Sequence, residues 1–312
     1  MGSEMRTAAI QVVKKLQEEG YQAVFAGGCV RDQLLGLTPK DYDVATSATP
    51  DEVIRHFPQA VTVGAHFGVV LVKVQGYAIE IATFRTDGSY ADGRKPESVT
   101  FATIEEDASR RDFTINGLFY DPITETLLDF VDGQKDLEAG RLRAIGDAKE
   151  RFAEDHLRLL RAIRFATRFE FQIGDETWAA LRELAPKITR ISPERIRDEL
   201  DRIWVHSHRV KGFDLLVESG LMLAILPEIL KLQGCEQPPQ WHPEGDVFVH
   251  TRIMLDMLPD EASLPLVLSV LFHDIGKPAT YSFDQANDRI RFNGHDRVGA
   301  DMTEKILSLI HI

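Results

Sequence analysis

The chain has 312 residues, a hydrophobic fraction of 44% and a formal net charge of −13. This length allows two or three domains with ordinary cores, and the acidic balance argues against a protein coated with basic side chains, although a local basic stripe would suffice to bind nucleic acid. Cys29 and Cys235 are the only cysteines, which excludes a disulfide framework and a cysteine-rich zinc site. With no signal peptide and no apolar run of about 18 residues, we expect a cytoplasmic protein that does not enter a membrane.

The first 145 residues are predicted to form an α+β domain with a small mixed sheet. Apolar residues at helical spacing predict a helix over residues 5–19, and shorter helices are expected over 30–35 and 50–56. Short β-rich runs between glycines predict strands over residues 23–26, 42–45, 61–63, 69–74 and 78–84. The polar, Gly-rich stretch over 86–97 is typical of a mobile loop.

From about residue 152 the pattern is helical to the end of the chain. Helices are predicted over residues 155–169, 175–184, 192–205 and 211–218. A proline in the first turn, after a Ser cap, supports the third of these.

The most informative segment joins a Gly27-Gly28 turn and Arg31-Asp32 to the carboxylate pair Asp41 and Asp43. On a strand, residues two apart point to the same face, and two adjacent carboxylates repel each other unless a cation lies between them. Carboxylate oxygens suit Mg²⁺, and a glycine turn leading into a helix offers backbone N–H groups to a phosphate. The combination predicts nucleotidyl transfer from a nucleoside triphosphate.

Arg110-Arg111-Asp112 precedes an apolar run and forms a second candidate motif. Arginines make charge-assisted, often bidentate hydrogen bonds to phosphate, and an acid can bind a ribose hydroxyl. A salt-bridge cluster at a helix N-terminus would also explain these residues.

A third motif runs from Glu154 and Asp155 to Arg158 and continues as a row of arginines. If residues 154, 158, 161 and 165 lie on one helix, they share a stripe, and Asp and Arg side chains could match the hydrogen-bonding edge of a base. A solvent-exposed, salt-bridged helix face is the alternative. The candidate RNA-backbone contact is the basic region formed by this row together with Lys187, Arg190, Arg195 and Arg197.

The last quarter of the chain places His273-Asp274 at the end of an apolar helix, with His250 upstream and His295 downstream. Histidines and an aspartate brought together from separate helices can form a metal site. Any one of these histidines could instead be an ordinary core residue.

Together these motifs resemble the bacterial class II tRNA nucleotidyltransferase and poly(A) polymerase family, which belongs to the DNA polymerase beta superfamily. The resemblance implies a polymerase-beta-like head domain with a small mixed sheet, an all-α neck and an HD-like helical domain. It implies catalytic Asp41 and Asp43 that bind two Mg²⁺ ions, with Gly28 and Arg31 on the triphosphate. The resemblance also implies a wider nucleotide-binding set, comprising Gly27, Asp32, Arg111, Asp112, Glu154, Asp155, Arg158, Arg161 and Arg164.

Within that resemblance, the expected domains are a head over 1–145, a helical neck over 146–230 and an HD-like domain over 231–312. The last resembles the HD phosphohydrolase superfamily, which implies a second divalent metal at His250, His273, Asp274 and His295. The chain stops before the further Asp of that pattern, so we expect an incomplete HD-like domain and a fragment of a longer protein.

The expected function is template-independent transfer of CMP and AMP from CTP and ATP to the 3′ end of tRNA. A-adding and poly(A) polymerase activities are alternatives within the family; the segment 63–68 lacks adjacent arginines, which favours tRNA ends, and the complete 86–97 loop argues against CC-only addition. Alternatives outside it are an HD-type phosphohydrolase, a small-molecule nucleotidyltransferase and a non-catalytic RNA-binding module. Glu80, on a predicted strand, could supply a third carboxylate. The sequence leaves the oligomeric state unknown.

Overall fold

The computed structural model describes residues 2–62, 68–88, 99–238, 240 and 243–309. The chain separates into two compact units, one ending at Asp155 and the other beginning at His156. The mixed α+β fold class is confirmed, whereas the division into three domains stays a prediction. None of the helices in this described part of the chain is long and apolar enough to cross a membrane.

The first unit alternates short helices with short strands. Its helices are α1 Gly2–Glu18, α2 Gly28–Leu34, α3 Pro50–His56, α4 Ile104–Ser109, α5 Gly133–Glu138 and α6 Ala148–Glu154. Its strands are β1 Ala23–Ala26, β2 Val44–Thr46, β3 Val61–Thr62, β4 Val69–Val74, β5 Tyr77–Thr83, β6 Arg85–Asp87, β7 Val99–Phe101, β8 Leu118–Asp121, β9 Thr126–Asp129 and β10 Arg141–Leu142. A 3₁₀ turn covers Thr114–Asn116.

Seven of these strands form one sheet in the order β3-β4-β5-β2-β1-β8-β9. The β2–β5 pair is parallel, while β1 pairs with both β2 and β8 in antiparallel fashion, so the sheet is mixed as predicted. Strands β6 and β7 form a separate antiparallel pair.

The core of this unit lies where helices cover the central strands. The apolar stripe of α1, which includes the buried residues Val12 and Leu16, packs against β1, β2 and β5. A second cluster joins β1 and β2 to α4, and consists of Val24, Ala26, Ala45, Phe84, Ile104, Ala108 and Phe119. All four residues of β1 are buried, as expected for a central strand. This strand therefore gives the turn at Gly27 a rigid base.

Local sequence signals set several element ends. Helix α3 has the predicted bounds because Thr49 and Glu52 form a capping box and Pro50 occupies the first turn. Strand β4 and helix α8 (Asp175–Leu184) also match their predicted ranges.

The second unit is almost entirely helical. Besides α8, its helices are α7 Leu157–Phe169, α9 Pro193–Trp204, α10 Arg209–Glu218, α11 Leu221–Ile225, α12 Pro227–Leu230, α13 Val247–Asp256, α14 Leu264–Phe272, α15 Lys277–Thr280 and α16 His295–Leu309. A 3₁₀ helix covers Ala185–Arg190, and the short strands are β11 Gln172–Ile173, β12 Ser282–Asp284 and β13 Arg289–Arg291. Helix α7 packs against α9 and α10, and α10 against α13.

Candidate active site

Asp41 and Asp43 lie immediately before β2, not within it. The prediction of a strand over 42–45 is wrong at its start, because β2 begins at Val44. Its partner β1 ends at Ala26, whose N–H still donates to the carbonyl of Asp43 at 3.0 Å, and the chain then turns away at Gly27. Residues before Asp43 therefore lose the β1 partner, and the two carboxylates stand at the open end of the strand.

Glu80 joins this end of the sheet from the neighbouring strand. The parallel register pairs Val44 with Ile81, which places Glu80 beside Asp43. Burial, as the largest cause, and the negative charges of Asp41 and Glu80 raise the pKa of Asp43 to about 7. The positive charge of Arg111 acts in the opposite direction. Concentrated negative charge of this kind favours a divalent cation, and hard carboxylate oxygens are the donors that Mg²⁺ prefers. The residues present thus fit the predicted metal.

Gly27 forms the turn between β1 and α2 with a backbone that favours glycine. Its φ is +67°, and a Cβ at this position would lie 2.8 Å from Nη1 of Arg111. Gly28 is the first residue of α2, so this helix begins two residues before the predicted start at Val30. The guanidinium of Arg111 therefore packs directly on the turn, and its charge acts on Asp43.

Arg31 and Asp32 are both buried and paired with each other. Nε and Nη2 of Arg31 donate to Oδ1 of Asp32 at 2.8 and 2.6 Å. Nη1 of Arg31 donates to Oδ1 of Asn116 at 2.5 Å, and Nδ2 of Asn116 donates to Oδ1 of Asp112 at 2.9 Å. Asn116, to which the sequence interpretation gave no role, thus links the first motif to the second.

Arg110 and Arg111 share a second buried residue that the sequence interpretation missed. Both guanidinium groups donate to the carboxylate of Asp107 on α4, at 2.8 to 3.2 Å. Asp107 lies three and four residues before them, a spacing that alone suggests only a helical ion pair.

The third motif does not lie on one continuous helix. Helix α6 ends at Glu154, Asp155 has an extended backbone with φ −140° and ψ 105°, and α7 begins at Leu157. An extended residue cannot continue the helical hydrogen-bond ladder, so the predicted helix over 155–169 and the stripe shared by residues 154 and 158 are wrong at this point. Glu154 pairs instead with Arg151 on α6, at 2.9 Å.

The arginine row of α7 lies along aromatic rings. Arg158 is buried, and Arg161 and Arg164 lie over the ring of Phe165, with Cζ 5.3 and 4.5 Å from its centroid. Nε of Arg164 lies 2.7 Å from Oε2 of the buried Glu199 on α9. The predicted alternative of a solvent-exposed, salt-bridged helix face therefore does not describe these arginines, since Arg158 is buried and Arg164 pairs with a buried carboxylate. Of the other basic residues, Lys187 and Arg190 lie on the 3₁₀ helix and Arg195 and Arg197 on α9.

The four predicted metal ligands of the second unit come together. One ligand atom from each of His250, His273 and Asp274 lies within 4.8 Å of the others, and Nε2 of His295 lies 3.9 Å from Oδ1 of Asp274. Among the described residues, His250, His273 and Asp274 form the group whose spacing could hold a metal ion. Burial would raise the pKa of Asp274, but hydrogen bonding and charge from His273 and Lys277 lower it to about 2, so the carboxylate is ionised.

The histidine rings of this cluster are oriented through their Nδ1 atoms. Nδ1 of His273 faces the carbonyl of Val270 at 2.7 Å, and Nδ1 of His295 faces that of Phe292 at 2.8 Å. Nδ1 of His250 lies 2.7 Å from a carboxylate oxygen of Glu244. Such partners favour the tautomer that leaves Nε2 to a metal. The residues present fit a divalent ion with mixed nitrogen and oxygen ligands.

Two predicted features lie outside the described residues. These are most of the loop predicted over 86–97, from residue 89 onward, and the segment at 63–67.

Known protein families match both units of the chain. Residues 23–143 match the family model of the poly(A) polymerase head domain, and residues 170–232 match a probable RNA- and SrmB-binding site of polymerase A. The CCA-adding enzyme of Geobacillus kaustophilus (strain HTA426) is 42% identical over 220 residues, which cover 70% of this chain and 54% of that protein. The chain belongs to the tRNA nucleotidyltransferase and poly(A) polymerase family.

Other members of this family show the same extent of likeness. The CCA-adding enzyme of Lactobacillus johnsonii is 42% identical over 219 residues, 70% of this chain and 55% of that protein. The chain thus spans about half the length of the curated relatives it matches. A crystal structure of the Bacillus stearothermophilus CCA-adding enzyme in complex with CTP superposes with a TM-score of 0.73 at 29% identity, covering 98% of this chain and 70% of that one. The assignment of residues 231–312 to an HD-like domain stays a prediction.

Proposed function

We propose that this chain transfers CMP and AMP from CTP and ATP to the 3′ end of tRNA. The observation that carries the proposal is the group Asp41, Asp43 and Glu80, in which burial and neighbouring charge raise the pKa of Asp43 to about 7 beside the arginine-lined turn at Gly27. Three carboxylates and an arginine at one strand end suit a reaction in which bound cations and a guanidinium must handle a triphosphate.

Two Mg²⁺ ions bound by Asp41 and Asp43 would favour ionisation of the RNA 3′-hydroxyl and neutralise charge on the α-phosphate and the leaving pyrophosphate. The chain supplies the rest of the site. Arg111, which packs on Gly27, is placed to bind the triphosphate. Nη2 of Arg31 lies 3.6 Å from the position of a Cβ added at Gly28, and this guanidinium is held by Asp32 and Asn116. Asp112, held by Asn116, is the proposed acceptor for a ribose hydroxyl.

We assign base recognition to Asp155 and Arg158, with Glu154, Arg161 and Arg164 as neighbours in sequence. Asp155 has an extended backbone and lies in the short segment between α6 and α7. The match of residues 170–232 to an RNA-binding region, which contains Lys187, Arg190 and Arg195, supports an RNA substrate over a small molecule. Two relatives are named CCA-adding enzymes, which supports CCA addition over A-only or poly(A) addition. An intracellular tRNA substrate and two free thiols fit the cytoplasm.

The test is incorporation of labelled CTP and ATP, separately and together, into tRNAs that lack the CCA end, lack only the final A, or are complete. Sequential addition of C, C and A with Mg²⁺ would support the proposal, and use of ATP only on the tRNA ending in CC would mean an A-adding enzyme. Asp41→Ala and Asp43→Ala should abolish incorporation, whereas Asp51→Ala on α3 should keep the wild-type rate. Incorporation that survives Asp43→Ala would overturn the metal assignment.

A second activity is favoured by the cluster of His250, His273, Asp274 and His295. We propose that it binds one divalent ion, which would supply a metal-bound water for phosphate or 2′,3′-cyclic phosphate ester hydrolysis. Calorimetric titration with Mn²⁺ should give one fewer ion per chain for His273→Ala than for the wild type. His56→Ala, outside the cluster, should bind as the wild type does. Equal stoichiometry in all three would remove this proposal.

A further inference from the structure

Asp107 is a buried carboxylate that receives two guanidinium groups. It is 1% exposed. Its Oδ1 accepts from Nε and Nη2 of Arg110 at 2.9 and 2.8 Å, and its Oδ2 accepts from Nε and Nη2 of Arg111 at 3.2 and 2.9 Å. Each oxygen therefore accepts two N–H groups from one arginine, and all four hydrogen bonds are charge-assisted.

Asp107 is itself held in place by its surroundings. It lies on α4, whose start is fixed by a capping box between Thr103 and Glu106. The backbone N–H of Arg85, the first residue of β6, donates to its Oδ1 at 3.2 Å. Burial would raise the pKa of Asp107, but the charges and hydrogen bonds of Arg111 and Arg110 hold it below its usual value. The carboxylate is therefore a fixed, ionised anchor.

Arg111 is the partner that reaches the candidate active site. Its Nη1 donates to the carbonyl of Asn116 at 3.2 Å, and its Cζ lies 4.8 Å from the ring centroid of Phe119. The same guanidinium packs on Gly27. Rotation of Arg111 away from the turn would require loss of both hydrogen bonds to Asp107. Asp107 therefore determines the position of the positive charge of Arg111.

We infer that Asp107 is a positioning residue that holds Arg111 against the Gly27 turn for the incoming nucleoside triphosphate. The inference rests on the proposed nucleotidyl transfer. A guanidinium free to rotate would bind the triphosphate less tightly, because its ordering would have to occur on binding. Loss of Asp107 should therefore act mainly on nucleotide affinity.

Asp136 offers a matched control in the same unit. It is also buried, at 4% exposure, and accepts from Oγ1 of Thr114 at 2.7 Å and from Nε of Arg143 at 2.8 Å. Asp136→Asn thus removes a buried, arginine-paired carboxylate whose arginine is not on the Gly27 turn. A purely structural role for Asp107 predicts that Asp107→Asn and Asp136→Asn behave alike.

The experiment measures KM and kcat for CTP and ATP incorporation, equilibrium binding of a fluorescent CTP, and the melting temperature, for the full chain and both variants. Asp107→Asn should raise KM and the Kd for CTP at least tenfold and change kcat less than threefold. Asp136→Asn should lower the melting temperature but leave KM within twofold of the wild type. A wild-type KM and Kd in Asp107→Asn would overturn the inference.

Two further measurements separate the remaining outcomes. In a double-mutant cycle, Asp107→Asn combined with Arg111→Lys should bind CTP no more weakly than Arg111→Lys alone, and additive losses would contradict action through Arg111. If Asp107→Asn does not fold, Asp107→Glu, which keeps the charge but displaces it, takes its place with the same expected rise in Kd. An inactive wild type that binds CTP would count against the proposed transfer only, since the CTP affinities still decide the role of Asp107.

Discussion

Nη1 of Arg31 donates a hydrogen bond of 2.5 Å to Oδ1 of Asn116, which is 85 residues away in sequence. The other end of the Asn116 amide donates to Asp112. One side chain thus joins the helix that follows the glycine turn to the motif proposed to select the ribose. Because all three residues are buried, the two motifs can hardly shift independently.

Replacement of Asn116 by Ala should therefore harm both stability and nucleotide incorporation. The change leaves a buried guanidinium and a buried carboxylate each short of a partner, which costs on the order of 1 to 3 kcal/mol. We expect a loss of about that size in urea unfolding and a rise in KM for CTP. The control is Asn287→Ala, which removes an exposed amide bonded to Asp284 in the other unit. Equal effects of the two substitutions would contradict this account of Asn116.

Gly27→Ala should reduce nucleotide incorporation by about a hundredfold or more. The new methyl group would meet Nη1 of Arg111 at 2.8 Å, so this guanidinium, which Asp107 holds in place, would have to shift from its position on the turn. Gly36→Ala separates this contact from backbone strain, because Gly36 has a similar φ of +71° and a Cβ added there would meet no described atom within 4 Å. Both variants should lose stability by about 1 kcal/mol, but only the first should lose activity. A comparable activity loss in Gly36→Ala would mean that strain alone explains the effect.

Much of this arrangement could be predicted from sequence because its signals are local. The capping residues around Thr49 set the ends of α3, and the apolar helix before His273 led to the cluster with His250 and His295. The roles of Asn116 and Asp107 depend on what lies opposite them in the folded chain, which no spacing records. The break at Asp155 was missed for a related reason, since helical periodicity continues on both sides of it.

Asp43 should make the stability of the metal-free protein fall as pH rises. In the unfolded chain its carboxyl ionises near 3.8, whereas in the folded chain its pKa is about 7, so the folded state retains an extra proton between these values. The stabilisation is complete below the unfolded value and is lost as pH rises through the folded value. With EDTA present, the free energy of unfolding of the wild type should drop relative to Asp43→Asn by more than about 1 kcal/mol over this window. Urea unfolding at several pH values tests this, and parallel curves for the two proteins would refute it.

Mg²⁺ should oppose that loss. Ionised Asp43 is the form that binds a cation, so Mg²⁺ should stabilise the wild type more strongly above pH 7 than below it. Asp43→Asn should respond weakly to Mg²⁺ throughout. A Mg²⁺ effect independent of pH would argue that Asp43 is not a ligand.

Arg209 should be the most costly arginine to replace in the helical unit. It is 1% exposed, and its guanidinium donates to the carbonyls of Trp204, Leu258, Pro259 and Asp260 at 2.9 to 3.3 Å. Arg209→Met keeps the bulk of the stem but leaves these acceptors short of a donor, which we expect to lower the free energy of unfolding by about 3 kcal/mol.

The matched control for Arg209 is Arg252→Met. Arg252 also makes two short hydrogen bonds, to Asp214 at 2.7 and 2.6 Å, but its side chain is 41% exposed. Water can replace the lost partner there, so this change should cost about 1 kcal/mol or less. Urea unfolding followed by tryptophan fluorescence, to which Trp204 beside the lost contact contributes, measures both. If both substitutions lower the free energy of unfolding equally, burial does not decide how much these arginines stabilise the protein. The four carbonyls around Arg209 must then find other donors.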